Sequence, residues 1–169
     1  SNGTGTANCG GAIIYYGVNG QMSGNLQKYE PDLELIGKDS GDSHSSTTQE
    51  EKNILVGDFN NDSFNDVIVG LMNMEGDGNR CGSGTGTNCG GAQIWFGPNA
   101  TRSNWSIMPD LELVGMDSSD QVGNYIAKGD VNADGYDDII MGSMGMGAAA
   151  WRLTLQVAAE SRYGMQTRT

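Results

Sequence analysis

The chain is 169 residues long and carries 21 acidic against 9 basic residues, a formal net charge of −12. Phosphate binding needs a basic patch, so nucleic acid is not an expected partner, and no run approaches the roughly 18 apolar residues of a membrane-spanning helix. Glycine supplies 27 residues, about twice its usual share or more, which suits tight turns between short strands.

In chain order, segments 12–16, 33–36, 52–56 and 67–69 are short, β-branched or aromatic, and bounded by Gly, Asn, Asp or Pro. They predict strands, as do 93–96, 111–114, 125–127 and 139–141. No window shows a convincing apolar period of 3.6 with caps. Only the tail, 148–161, admits a helix. There Arg152-Leu153-Thr154-Leu155-Gln156-Val157 alternates apolar with polar residues, and a strand is expected over 153–157. The expected fold class is all-β.

Several of these segments occur twice. Cys9-Gly10-Gly11-Ala12-Ile13-Ile14-Tyr15-Tyr16-Gly17 returns as Cys89-Gly90-Gly91-Ala92-Gln93-Ile94-Trp95-Phe96-Gly97. Pro31-Asp32-Leu33-Glu34-Leu35-Ile36-Gly37 returns as Pro109-Asp110-Leu111-Glu112-Leu113-Val114-Gly115. The period is roughly 70 to 80 residues, the spacing of a propeller, a solenoid or an array of stacked units. A first unit is expected over 1–80, a second over 81–147, and a divergent tail over 148–169.

Each unit contains a loop rich in oxygen donors. Asp58, Asn60, Asp62 and Asp66 occupy positions 1, 3, 5 and 9 of the first, and Asp130, Asn132, Asp134 and Asp138 those of the second. Alternate side chains of a tightly wound loop point at one centre. The carbonyls at position 7, Phe64 and Tyr136, complete an all-oxygen cage of the kind a hard cation such as calcium requires. Two calcium sites are therefore expected. An EF-hand is excluded, because position 12 is Val69 or Met141 instead of a bidentate acid and no flanking helices are predicted. The plain alternative is a pair of solvated hairpin turns, since Asn-Asp and Asp-Gly favour turns.

The stretch Gly123-Asn124-Tyr125-Ile126-Ala127-Lys128-Gly129-Asp130-Val131-Asn132-Ala133-Asp134-Gly135-Tyr136-Asp137-Asp138-Ile139-Ile140-Met141-Gly142-Ser143 resembles an FG-GAP repeat, the blade unit of the integrin α-subunit propeller. Gly91 to Gly97 resembles the strand that follows the loop in that family. The likeness runs over about residues 9–147. It implies two antiparallel FG-GAP-like blade units, an incomplete β-propeller or an open blade array, with calcium loops in hairpins. Ser63 stands where the family's loop has Gly, and Gly70-Leu71-Met72 and Gly142-Ser143-Met144 replace its Gly-Ala-Pro.

Cys81 and Cys89 bracket a Gly/Ser/Thr-rich loop and are expected to close it as a disulfide, leaving Cys9 as the odd thiol. The alternative is three reduced cysteines in a cytosolic protein. Calcium loops and disulfides together point to an extracellular location. Asn2, Asn61, Asn99 and Asn104 head Asn-x-Ser/Thr sequons; Asn99 and Asn104, after a strand, are the expected glycosylation sites. His44 is the only histidine, which removes most His-based triads and His-ligated zinc sites. No nucleophile elbow or phosphate loop is present, so no enzymatic activity is expected. Trp95 and Trp105 suit a core more than a glycan-binding face, and the methionines suit packing more than copper ligation.

The resulting expectation is an extracellular calcium-binding structural protein. Its blades, unfinished at both ends, leave strand edges that natural proteins seldom expose. It is expected to assemble with copies of itself head to tail into a surface or matrix fibre, with the tail strand as a possible donor to a neighbour's edge. The alternative is part of an integrin-like propeller that binds extracellular proteins or glycans.

Overall fold

The computed structural model describes residues 9–18, 21–22, 30–38, 41–42, 53–74, 88–115, 117–145 and 154–157. Within them the chain is all-β and no helix occurs. The strands are β1 (Gly11–Ile14), β2 (Gly17–Val18), β3 (Gln21–Met22), β4 (Leu33–Ile36), β5 (Ile54–Gly57) and β6 (Asp66–Leu71), then β7 (Gly91–Trp95), β8 (Leu111–Val114), β9 (Tyr125–Gly129), β10 (Asp138–Gly142) and β11 (Thr154–Val157). Every named pair is antiparallel.

A five-stranded sheet in the order β11-β8-β7-β6-β5 forms the middle of the molecule. Four of its strands, β5 to β8, are a meander of sequence neighbours. The pairs β1–β4 and β9–β10 lie on its two faces, and the strand period of two explains how both faces find a core. Val67, Val69, Leu71 and Trp95 face one side with Leu35, Met74 and Val114, where Ala12, Ile14 and Leu33 of the β1–β4 pair cover them. Ile68, Ala92, Ile94, Leu111 and Leu113 face the other, covered by Ile126 of β9 and by Ile139 and Met141 of β10. The strands β6, β7 and β8 are buried throughout.

The two repeat copies are placed alike. Ala12 pairs with Leu35 as Ala92 pairs with Leu113. The Tyr16 N–H donates to Asp32 Oδ2 at 2.7 Å, as the Phe96 N–H donates to Asp110 Oδ2 at 2.9 Å. Successive layers approach closely because glycine lines the crossing. Gly123 adopts φ +81°, and a Cβ there would run into the Gly91 carbonyl oxygen; one on Gly70 would meet the Gly123 carbonyl.

Differences from the sequence-based expectation are local. Strand β6 begins at Asp66 and runs to Leu71, longer than 67–69, because both of its neighbours pair along it. The hairpin β2–β3 was not expected, although Asn19-Gly20 between its strands is a strong two-residue hairpin signal. The tail does form a strand, and its partner is β8 of the same chain. Trp95 is fully buried, its indole N–H donating to the Ile107 carbonyl at 3.3 Å, and Trp105 packs against the same core. Met74 is in that core, whereas Met144 is exposed. His44, Cys81, Asn2 and Met146 lie outside the described residues.

Candidate metal centre

Each oxygen-rich loop joins two antiparallel strands, 58–66 between β5 and β6 and 130–138 between β9 and β10. Their internal hydrogen bonds correspond one for one. The Asp62 N–H donates to Asp58 Oδ1 and Asn60 Oδ1, both at 3.0 Å, the Ser63 N–H to Asp58 Oδ2 at 2.8 Å, and the Phe64 N–H to Asp62 Oδ1 at 2.9 Å. In the second loop the Asp134 N–H donates to Asp130 Oδ1 at 3.0 Å and Asn132 Oδ1 at 2.9 Å, the Gly135 N–H to Asp130 Oδ2 at 2.8 Å, and the Tyr136 N–H to Asp134 Oδ1 at 3.0 Å. The closing residue also matches: Asp66 Oδ2 accepts from the Phe59 N–H at 2.9 Å and Asp138 Oδ2 from the Val131 N–H at 2.8 Å.

The winding that makes these bonds requires left-handed backbone at positions 4 and 6 of both loops. Asn61 and Ser63 have φ of 58° and 70°, and Ala133 and Gly135 have 62° and 91°. Asn and Gly suit that region; Ser and Ala do so less well.

The surroundings differ. The connection from β7 to β8 lies over the first loop: Asn99 Nδ2 donates to Asp62 Oδ2 at 2.6 Å and the Gly97 N–H to Asp66 Oδ1 at 2.9 Å. Asp66 is fully buried, and residues 130–136 of the second loop are exposed. Burial pushes the Asp66 carboxyl above the usual carboxylate range. The Gly97 and Phe59 N–H groups pull it back in part, and the nearby Asp62 and Asp58 charges push it further up. Burial also raises Asp62, but hydrogen bonds from Asn99, the Phe64 N–H and Asn60 outweigh it and hold this carboxyl below its ordinary value. At the roots of the two loops, Lys128 Nζ pairs with Asp137 Oδ2 at 2.6 Å and stands over the Phe59 ring at 5.9 Å, so the loops are neighbours.

The donor set fits a hard cation by its chemistry, being carboxylate and carboxamide oxygen alone. Each bonded carboxylate oxygen retains a second lone pair beside the one facing an N–H. As placed, no three His, Cys, Asp or Glu side chains among the described residues converge closely enough to hold a metal ion.

Of the remaining expected sites, Cys89 is disulfide-bonded, and Cys81 lies outside the described residues. Cys9 is buried. Asn99 is half-buried and its side chain organises the connection after β7, with Oδ1 accepting from the N–H groups of Thr101 and Arg102 and from Thr101 Oγ1. Asn104 is exposed.

Sequence reasoning missed a buried polar cluster between the first unit and the second. Gln93 Nε2 donates to Glu112 Oε1 at 3.1 Å and Asp42 Oδ2 at 3.4 Å, and Lys38 Nζ reaches Glu112 Oε2 at 3.4 Å. Asp42, Gln93 and Glu112 are all fully buried. The visible signal was Gln93 itself, an amide at the repeat position where the first copy has Ile13. No family model, curated protein or solved structure matches the chain.

Proposed function

We infer that this chain is an extracellular, non-enzymatic, calcium-binding β-repeat protein that assembles head to tail into a surface or matrix fibre. The observation that supports it is the pair of loops, a repeat apart, with the same oxygen donors held by the same N–H groups. Asp58, Asn60, Asp62, Asp66 and the Phe64 carbonyl would hold one ion. Asp130, Asn132, Asp134, Asp138 and the Tyr136 carbonyl would hold the other. The ion supplies positive charge among mutually repelling carboxylates, so its binding energy becomes fold stability. The head-to-tail element of the reading is supported by β1 and β10, each hydrogen-bonded on one side only among the described residues.

The meander β5 to β8 favours a second reading, a blade of an integrin-like propeller that recognises a protein or glycan ligand. Light scattering and negative-stain microscopy in millimolar calcium, then in excess chelator, separate the two. Long particles that shorten on chelation support the fibre. A monomer stabilised by calcium favours the propeller module, and a monomer indifferent to chelator sinks both.

A further inference from the structure

We propose that the joint between copies is formed by β10 of one copy and β1 of the next, in the register that β6 and β7 use within the chain. This inference rests on the self-assembly reading above. Strand β10 is the repeat counterpart of β6 and β1 that of β7, and β6 pairs with β7 through Ile68 opposite Ile94, Val69 opposite Gln93 and Gly70 opposite Ala92. Carried to the counterparts, Ile140 lies opposite Ile14 of the next copy, Met141 opposite its Ile13, and Gly142 opposite its Ala12. The product is a four-stranded sheet in the order β9-β10-β1-β4, matching the meander β5-β6-β7-β8.

The exposure of the two edges fits this occupant. Ile140 is 44% exposed, while its counterpart Ile68 is 0% exposed; Ile13 is 64% exposed, while its counterpart Gln93 is 0% exposed. Ile13 and Ile140 are the apolar side chains that a β10–β1 joint would cover, for the reason that the β6–β7 joint covers theirs. The sides also agree. Ile139 and Met141 face the core of their own copy, so alternation turns Ile140 away from it. Ile14 packs against the other face of the central sheet of its copy, so across the joint Ile140 comes to lie beside it on that core.

The joint also reaches the second oxygen-rich loop. Asp66 Oδ1 accepts from the Gly97 N–H, which follows β7. The counterpart of Gly97 is Gly17, which follows β1. Its N–H in the next copy would meet Asp138 Oδ1 and give the second loop one of the two contacts that cover the first inside the chain.

The test mixes full chains carrying Ile140→Cys with chains carrying Ile14→Cys, oxidises them in millimolar calcium, and reads cross-linked dimer on a non-reducing gel against the oxidised wild type. Dimer is expected in this mixture, at least five-fold above the off-register mixture of Ile140→Cys with Ala12→Cys. Equal or inverted yields overturn the register. A second variant, Ile140→Lys, changes an exposed residue and should shift the light-scattering mass to the monomer while the far-ultraviolet circular dichroism of the folded chain is unchanged. Assemblies of undiminished size in Ile140→Lys overturn the joint while leaving self-assembly standing. A wild-type chain that stays monomeric at every concentration overturns both.

Discussion

Loop 58–66 and loop 130–138 carry the same donors at the same spacing and hold them with the same N–H groups, yet the first is covered by the β7–β8 connection and the second is exposed. Both the residues between the donors and the surroundings differ, and the larger difference is the cover supplied from outside the nine residues. The pattern therefore specifies the winding of the backbone, and the neighbouring strand sets how firmly that winding is held. An ion entering the first loop would meet carboxylates already fixed from both sides and would lose less to ordering than one entering the second.

Asp66→Ala against Asp138→Ala breaks the comparison most severely. Asp66 is fully buried and accepts from two N–H groups, Phe59 and Gly97. Its loss should cost about 2–4 kcal/mol in chelator, while Asp138→Ala, whose carboxylate accepts from Val131, should cost about 1 kcal/mol. Urea denaturation in chelator reads both, and equal costs would show that the cover contributes nothing. Next comes the ion itself. At a calcium concentration 100-fold above its dissociation constant, one site stabilises the fold by about 2.7 kcal/mol. Asp58→Ala should remove the tighter of two binding events in titration calorimetry and Asp130→Ala the weaker; loss of neither event would refute calcium binding at these loops.

Asn99→Ala sharpens the comparison. It removes the 2.6 Å bond to Asp62 and should weaken the first event toward the second, at a cost of about 1.5–3 kcal/mol. Exchanging residues between loops has a smaller effect. Ser63→Gly should stabilise by about 0.5 kcal/mol and Gly135→Ser destabilise similarly, because position 6 has left-handed φ in both loops. The smallest effect is on pH dependence in chelator. The raised Asp66 carboxyl holds its proton more tightly when folded, so its contribution favours folding as pH falls through that raised value toward the ordinary range. Asp62 acts oppositely, its contribution being lost as pH falls through its lowered value. Melting temperatures from pH 3 to pH 7 for Asp66→Asn and Asp62→Asn should change slope in opposite senses.

Much of the fold was legible because short apolar runs between Gly, Asn and Asp leave little choice of element. The duplicated loops were legible because oxygen spacing is a local property of the chain. The cover on the first loop was not, since Asn99 and Asp62 are far apart in sequence and meet only through β6 pairing with β7. Nor was the Gln93 cluster, where an amide inside a fully buried strand becomes meaningful only beside Asp42 and Glu112. Sequence showed Asp32 and Asp110 as repeated letters; the structure shows each, just before its strand, receiving an N–H from just after the strand paired with it.

The middle strands of the central sheet, buried on both faces, also set a clock. Amide protons of β6 and β7 are paired on both sides and lie beneath two apolar layers, so in deuterated water they exchange only when the whole unit opens. Those of β9 need only the lifting of one outer strand pair, and their faster exchange would time the opening of that layer separately from the unfolding of the centre.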